Sequence, residues 1–242
     1  MAEKKCKACG ASLEGARVRG QKNGFTFLQC ALCEAVTVDP FPTEAELTAF
    51  YQAYEGTTDY RRKQDKKIKR ASKRLQKLMA LTQGRDFLDV GCNYGFTVEA
   101  AKRLGLKAVG IDIDEMAVKA SNESFGPSYQ TISVVDYAVK GLQFDIAYSS
   151  EVIEHVPDPS AFVAALAKLV KPNGVLMLTT PDGGHWRVPQ DFAKWEAAIP
   201  PEHITYFSKK GMRILLEKHG FQILKMPWRL KPGLQVIARK TA

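Results

Sequence analysis

The chain of 242 residues contains no run of about 18 apolar residues, so no membrane-crossing helix is expected. Its opening residues, Met1-Ala2-Glu3-Lys4-Lys5-Cys6, lack the apolar stretch of a signal peptide. The expected location is therefore the cytoplasm. Cysteine is scarce, five in all, and in a reducing compartment these read as ligands or thiols before disulfides. The glycine loop at 91–95 has no lysine, which excludes a P-loop. The most basic stretch has no aromatic residue, so it offers no stacking platform for unpaired bases. Apolar residues are plentiful: at 45% they suffice for a buried core. The length suggests one full domain and a smaller module.

The formal charge of +9 is a local property. Arg61 to Lys77 holds ten basic residues and one acid, Asp65. Removing them from the totals of 35 and 26 leaves 25 basic and 25 acidic residues elsewhere, which is neutral. From about Asp59 a helix is expected, with Ile68, Ala71, Leu75, Leu78 and Met79 keeping a helical period. Its basic faces read as a solvated surface, or as a site for an anionic partner such as nucleic acid.

Cys6-x-x-Cys9 and Cys30-x-x-Cys33 are separated by 20 residues. Two such pairs supply the four thiolates of a tetrahedral zinc shell. Between them, Ala16–Arg19 and Phe25–Leu28 flank Gln21-Lys22-Asn23-Gly24, the pattern of a hairpin. Residues 1–42 thus resemble a zinc ribbon, with a structural metal on Cys6, Cys9, Cys30 and Cys33. A module this small buries little core of its own, so the metal is expected to hold it together. Asp39-Pro40-Phe41-Pro42 stops the ribbon. Thr43-x-x-Glu46 has the form of a capping box opening a helix with Leu47, Phe50, Tyr51 and Tyr54. Residues 43–83 form this helical connector.

The chain is organised around Phe87-Leu88-Asp89-Val90-Gly91-Cys92-Asn93-Tyr94-Gly95. Phe87–Val90 reads as a strand, 91–95 as a tight loop, and Thr97–Leu104 as a helix. Backbone N–H groups converge on a cofactor in such an arrangement. The acid at the strand's end would repel a phosphate and suits a cation. A second acid, Asp112, follows the apolar run Ala108–Ile111, 23 residues after Asp89, about where an acid meets ribose hydroxyls in nucleotide folds.

These motifs resemble those of the class I S-adenosylmethionine-dependent methyltransferases, over roughly residues 75–240. Asn93 stands where that family often has glycine, and asparagine tolerates positive φ. The resemblance implies a Rossmann-like α/β fold for 84–242: a mostly parallel seven-stranded sheet with an antiparallel last strand. It places S-adenosylmethionine on Asp89, on the loop Gly91, Cys92, Asn93, Tyr94 and Gly95, and on Asp112 and Ile113. It also implies Asp136 at the adenine amino group, Tyr137 against the ring, and Ser149 near the methyl group. Ile132–Val135 reads as the strand leading to Asp136.

Phe144–Ser150 reads as the fourth strand, followed by Glu151-Val152-Ile153-Glu154-His155-Val156-Pro157-Asp158-Pro159. A helical 151–155 would project Glu151, Glu154 and His155 from one face as a divalent-metal patch or an acid/base cluster. The segment is similar to "EVxEHV" of ubiquinone-biosynthesis O-methyltransferases, which use a divalent cation. It is also similar to the Glu-x-x-Glu-His of small-RNA 2′-O-methyltransferases, with His203 a counterpart of their later histidine. Ala161–Val170 reads as a helix and Val175–Thr180 as the fifth strand. Pro181–Pro201 is long and structureless in pattern, which suggests an acceptor-binding lid. "PEHxxYFS" at 201–208 recurs in small-molecule methyltransferases and would turn His203 toward the acceptor. Gly220–Leu224 and Gln235–Ala238 read as the last strands.

The expected reaction is O-methylation of a small molecule, sugar or glycan, with His155 or His203 as base and Glu151 or Glu154 orienting it. An RNA methyltransferase using the ribbon and the basic helix is the alternative. Against it, strand four lacks the Asn/Asp-Pro-Pro-aromatic signature of base methylation. A non-catalytic S-adenosylmethionine-binding protein is a third reading, disfavoured by the acids at 89, 112 and 136.

Overall fold

Strand β4, Asp86–Val90, is buried along nearly its whole length, as a central strand covered on both faces must be. The computed structural model describes residues 4–53 and 64–241. Around β4 run β5 (Lys107–Asp112), β6 (Tyr129–Thr131), β7 (Phe144–Ser150) and β8 (Val170–Pro181), all parallel. β10 (Phe221–Lys225) and β11 (Gly233–Lys240) close the sheet, β11 antiparallel to both of its neighbours. The order is β10-β11-β8-β7-β4-β5-β6. The chain reverses direction across the sheet beside β4, and this crevice at the carboxyl ends is where such sheets bind ligands.

Helices cover the two faces: α3 (Phe96–Arg103), α4 (Glu115–Phe125), α5 (Val134–Ala138), α6 (Pro159–Leu169) and α7 (Lys209–Lys218). Asp114, Ser133, Asp158 and Ser208 cap α4, α5, α6 and α7 through side-chain oxygens. The α6 helix is the one expected from Ala161, begun two residues earlier by Asp158-Pro159, with proline in the first turn where its missing N–H costs nothing. Among the described residues no helix is long and apolar enough to cross a membrane.

The strand expected at Ile132–Val135 lies earlier, at Tyr129–Thr131, and Val134–Ala138 is helical. The reason is local. Ser133 accepts from the Asp136 amide (3.1 Å) and donates to its carboxylate (2.6 Å). This cap outweighs the strand preference of two adjacent valines. Tyr137 is consequently buried, its ring stacked on Phe144 at 6.3 Å in the core and unavailable to lie on an adenine.

At the N-terminal end, β1 (Arg17–Lys22) and β2 (Phe25–Gln29) form the expected hairpin. Asn23 and Gly24 both take positive φ at its turn. A third strand, β3 (Val36–Asp39), extends it. The fourth strand is β9, Thr205–Tyr206, which comes from the other end of the chain and pairs with Val36 and Thr37. The ribbon therefore shares a sheet with the body.

The capping box holds: the Thr43 amide donates to Glu46 (2.7 Å), whose own amide donates to Thr43 Oγ1 (3.2 Å), opening α1, Glu44–Ala53. Leu47 is buried from it, while the side chains of Tyr51 and Tyr54 lie outside the described residues. The basic helix α2 spans Gln64–Met79, and the expected start near Asp59 with Arg61, Arg62 and Lys63 also lies outside them. Ile68, Ala71, Leu75 and Leu78 are buried, as their period implies, and Arg74 donates to the Tyr148 hydroxyl at 2.8 Å.

Candidate active site

The cofactor side of the crevice is built by backbone geometry. Gly91 and Gly95 adopt φ of 77° and 75°, and Asn93 adopts 45°, the left-handed conformation expected of it. At Gly91 a Cβ would lie 2.2 Å from Val152 Cγ2, so only glycine lets the loop pass beneath the 151–155 turn. Asp112 holds the loop: its Oδ2 accepts from the Asn93 amide (2.7 Å) and its Oδ1 from the Asp114 amide (3.0 Å). Asp89 is buried at the end of β4. Burial, with the negative charge of Asp112 added, pushes its carboxyl up to about 8. Burial likewise raises Asp112. A buried acid and a half-buried one side by side are relieved by a positive charge.

Ser149 pairs in register with Val90 beside this loop, and its Oγ is buried without a partner. Cys92 is buried and Tyr94 half-buried in the loop, while Ile113 is largely exposed. The Ile132 amide donates to Asp112 O at 2.9 Å, which brings the α5 cap and Asp136 to the same end of the sheet.

The second cluster departs from the expected helix. Residues 151–155 form a turn, with Glu151 at φ 58°. Glu151 is exposed and its carboxylate accepts from Thr179 at 2.8 Å. Glu154 is fully buried, one oxygen accepting from Thr180 (2.9 Å) and the other without a donor. The group that comes together is Glu154, His155 and His203, with ligand atoms within 4.8 Å of one another; Glu151 is not among them. A helix is not what forms here: Glu151 bonds Thr179 and stays outside the ligand set while its charge still reaches Glu154, and His203 arrives from 48 residues later in the chain.

The backbone explains that arrival. Glu154 O accepts from the amides of Ile204 (3.0 Å) and Thr205 (3.2 Å). His155 Nδ1 bonds Glu202 O (2.8 Å), His203 Nδ1 bonds Ala197 O (2.9 Å), and the two rings meet edge-on at 4.6 Å. A carbonyl can only accept, so each ring carries its proton on Nδ1 and its lone pair on Nε2. Burial, with His203 beside it, lowers His155 to about 4, and burial also lowers His203. Burial and the charge of Glu151 raise Glu154 to about 8. The cluster can take up a proton, or hold a divalent ion through two imidazoles and a carboxylate.

A cleft of about 360 Å³ is lined among others by Glu151, Pro181, Trp195, Ala197, Lys231 and Gly233, and the cluster lies one residue behind it, since Ala197 O holds His203. The segment expected to be a lid forms its wall. Val188, Phe192, Trp195 and Ala198 are buried against Phe27, Val36 and Val38 of the ribbon. Only local patterning could be read for 181–201; its partners lie more than 140 residues upstream.

In the cysteine cluster, Cys6 and Cys33 sulfurs are 3.5 Å apart and those of Cys9 and Cys30 are 3.6 Å apart, all four within 4.8 Å. A zinc–sulfur tetrahedron has edges of about 3.8 Å, so the four fit that ion. The hydrogen bond from Cys33 draws Cys6 down to about 5, whereas burial raises Cys9 to about 11.

The histidine pair makes a direct prediction. Burial disfavours the imidazolium, so His155 should stay neutral throughout pH 5–8 and His203 should protonate only below the usual value of 6.5. Histidine ¹³C NMR titration checks this; a His155 midpoint near 6.5 would contradict the geometry.

Against known proteins, the sequence model of the family described as a methyltransferase domain matches residues 58–226. A ubiquinone biosynthesis O-methyltransferase of Rhodopseudomonas palustris is 27% identical over 188 residues, covering 69% of this chain and 74% of that one. The enzyme of the same name from Thiobacillus denitrificans is 40% identical over 103 residues, 40% of this chain and 44% of its own length. Among solved structures, magnesium protoporphyrin IX methyltransferase of Synechocystis, with bound SAH, superposes with a TM-score of 0.57 at 18% identity, covering 82% of this chain and 95% of that one. With more than half of its length matched by the family and the same seven-stranded sheet, the chain belongs to the methyltransferase-domain family and has the S-adenosylmethionine-dependent methyltransferase fold.

Proposed function

We propose that the protein methylates a hydroxyl of a small molecule, a sugar hydroxyl included, using S-adenosylmethionine. The observation that carries this reading is the pair of neutral histidines behind the cleft wall, each held by Nδ1 so that Nε2 is the basic nitrogen. Relatives named as O-methyltransferases support the reaction type.

The chain fits the cofactor at several points. The loop 91–95, Asp112 and the unpartnered Ser149 Oγ would hold it, with Asp136 at the adenine end. When bound, S-adenosylmethionine supplies a methyl group on a positively charged sulfur, open to in-line displacement. Asp89 and Asp112 favour that charge. Holding donor and acceptor in line is worth up to about 7–11 kcal/mol. The hydroxyl proton passes to His203 Nε2. His155, lowered to about 4 by burial and by His203 beside it, is the weaker base and stays neutral while His203 takes the proton. Glu154, which holds its proton to about 8, lies 3.9 Å from His155 Nε2 and stabilises an imidazolium once it ionises.

The buried Glu154 oxygen without a donor favours a second reading, a divalent ion on Glu154, His155 and His203. Turnover that survives EDTA would remove it. Zinc in the cysteine cluster is part of the main reading, as a structural ion with no open position. The basic helix packs its apolar face on the body, and Arg74 bonds Tyr148.

Four outcomes are expected. Asp112→Ala should weaken S-adenosylhomocysteine binding at least about tenfold by calorimetry, because a carboxylate that shapes the loop and meets a hydroxyl is lost. His203→Ala should cut turnover about 100-fold or more while cofactor affinity stays near wild type. The wild-type acid limb of kcat should fall below 6.5, since burial keeps the base form at lower pH. A normal single-turnover rate in the variant would exclude His203 as the base. Chelating zinc should lower the melting temperature by about 10 °C or more, given the several kcal/mol such sites supply; an unchanged melting curve would refute a structural ion.

A further inference from the structure

Arg17, Arg19, Asn23 and Cys33 of the ribbon all form hydrogen bonds with one stretch of the body. Arg19, only 8% exposed on β1, donates to Pro189 O (2.9 Å), Gln190 O (3.0 Å) and Gln29 Oε1 (2.9 Å), and its guanidinium lies 5.7 Å from the Phe192 ring. Arg17 reaches Gln190 Oε1 (3.1 Å) and Asn23 reaches Pro200 O (3.0 Å). Ser208 donates to Cys33 O and accepts from Gly211 at the start of α7. A Cβ on Gly20 would lie 2.5 Å from Asp191 Oδ1 and 3.4 Å from Ala193 N, so the strand passes close against the segment. The cofactor loop, by contrast, is held by Asp112, Ser121 and the Ile111 carbonyl.

A buried guanidinium is stable only while its donors are satisfied. Here neutral oxygens satisfy them, and two belong to the acceptor wall. From Gln190 the chain turns through Phe192–Lys194, then Trp195 and Ala197 line the cleft, and Ala197 O holds His203 Nδ1. Tyr206, paired to the ribbon through β9, donates its hydroxyl to His203 O at 3.0 Å. The His203 ring and main chain are thus each tied to a segment gripped by the ribbon.

We propose that Arg19 is a positioning residue: it clamps the 188–207 segment so that the ribbon sets the tautomer of His203 and the acceptor wall, and leaves the cofactor half untouched. This rests on the reading of His203 as the base. The clamp is specific to arginine, since a lysine ammonium cannot reach two adjacent carbonyls and an amide oxygen from one planar fork.

The test uses the full, zinc-loaded chain as wild type, Arg19→Met and Asn23→Gly. The second variant is the milder, because glycine suits the φ of 51° at that turn. It covers the case in which Arg19→Met does not fold. Three readouts are taken: S-adenosylhomocysteine calorimetry, amide hydrogen exchange over 188–207, and the His203 tautomer by ¹⁵N NMR. The expected result is exchange at least about tenfold faster over 188–207 and a mixed His203 tautomer. Cofactor affinity should stay within about twofold of wild type. Wild-type exchange in both variants would overturn the proposal. So would faster exchange with the His203 tautomer unchanged, because Arg19 would then be structural only. A wild type that does not bind S-adenosylhomocysteine would instead remove the methyltransfer reading, while exchange and tautomer still judge the clamp.

Discussion

Two residues of strand join the two halves of this molecule. Thr205 and Tyr206 pair with Thr37 and Val36 on one side, while the Ile204 and Thr205 amides both bond Glu154 O on the other. Backbone groups buried this deeply must be satisfied, and here they have partners only if the ribbon and the 151–155 turn are both in place. His203 precedes that strand by two residues, so its ring can stand beside His155 only when both contacts form. The aromatic cluster of Phe27, Phe192, Trp195 and Tyr206, with centroids 4.9–5.9 Å apart, fills the space beneath. Pairs of this kind add about 0.5–1.5 kcal/mol beyond their area.

The crevice concentrates buried acid at the carboxyl ends of neighbouring strands. Asp89, Asp112 and Glu154 all have carboxyl groups raised chiefly by burial. The backbone answers part of that cost at Asp112, through the Asn93 and Asp114 amides, and a hydroxyl answers part at Glu154. What remains uncompensated is a preference for positive charge at both places. The two histidines are kept neutral by the same burial, so acids and bases in one low-dielectric site are each shifted toward their uncharged forms.

Much of this was legible in the chain. Cysteine spacing, the Asn23-Gly24 turn, the Thr43–Glu46 box and the glycine loop are short-range patterns, and each formed as its chemistry requires. Errors arose where two local signals competed. At 132–137 adjacent valines suggested a strand, but Ser133-x-x-Asp136 is also a helix cap, and the cap prevailed. At 151–155 the spacing suited a helix, but a left-handed Glu151 after the strand made a turn. Tyr137 went to the core for the first reason, and Glu151 left the histidine cluster for the second.

By itself the sequence determined the sheet, because period, glycine placement and the acids at strand ends act over a few residues and need no distant partner. It also determined which cysteines form one group, since paired knuckles are set by their own turns. Only the tertiary structure decided that the ribbon packs on the segment that walls the cleft. That outcome depends on contacts between Arg19 and Gln190, and between Val36 and Tyr206, separated by about 170 residues. No periodicity spans such a gap: whether two surfaces match is a property of shape and hydrogen-bond direction, which exists only once both have folded.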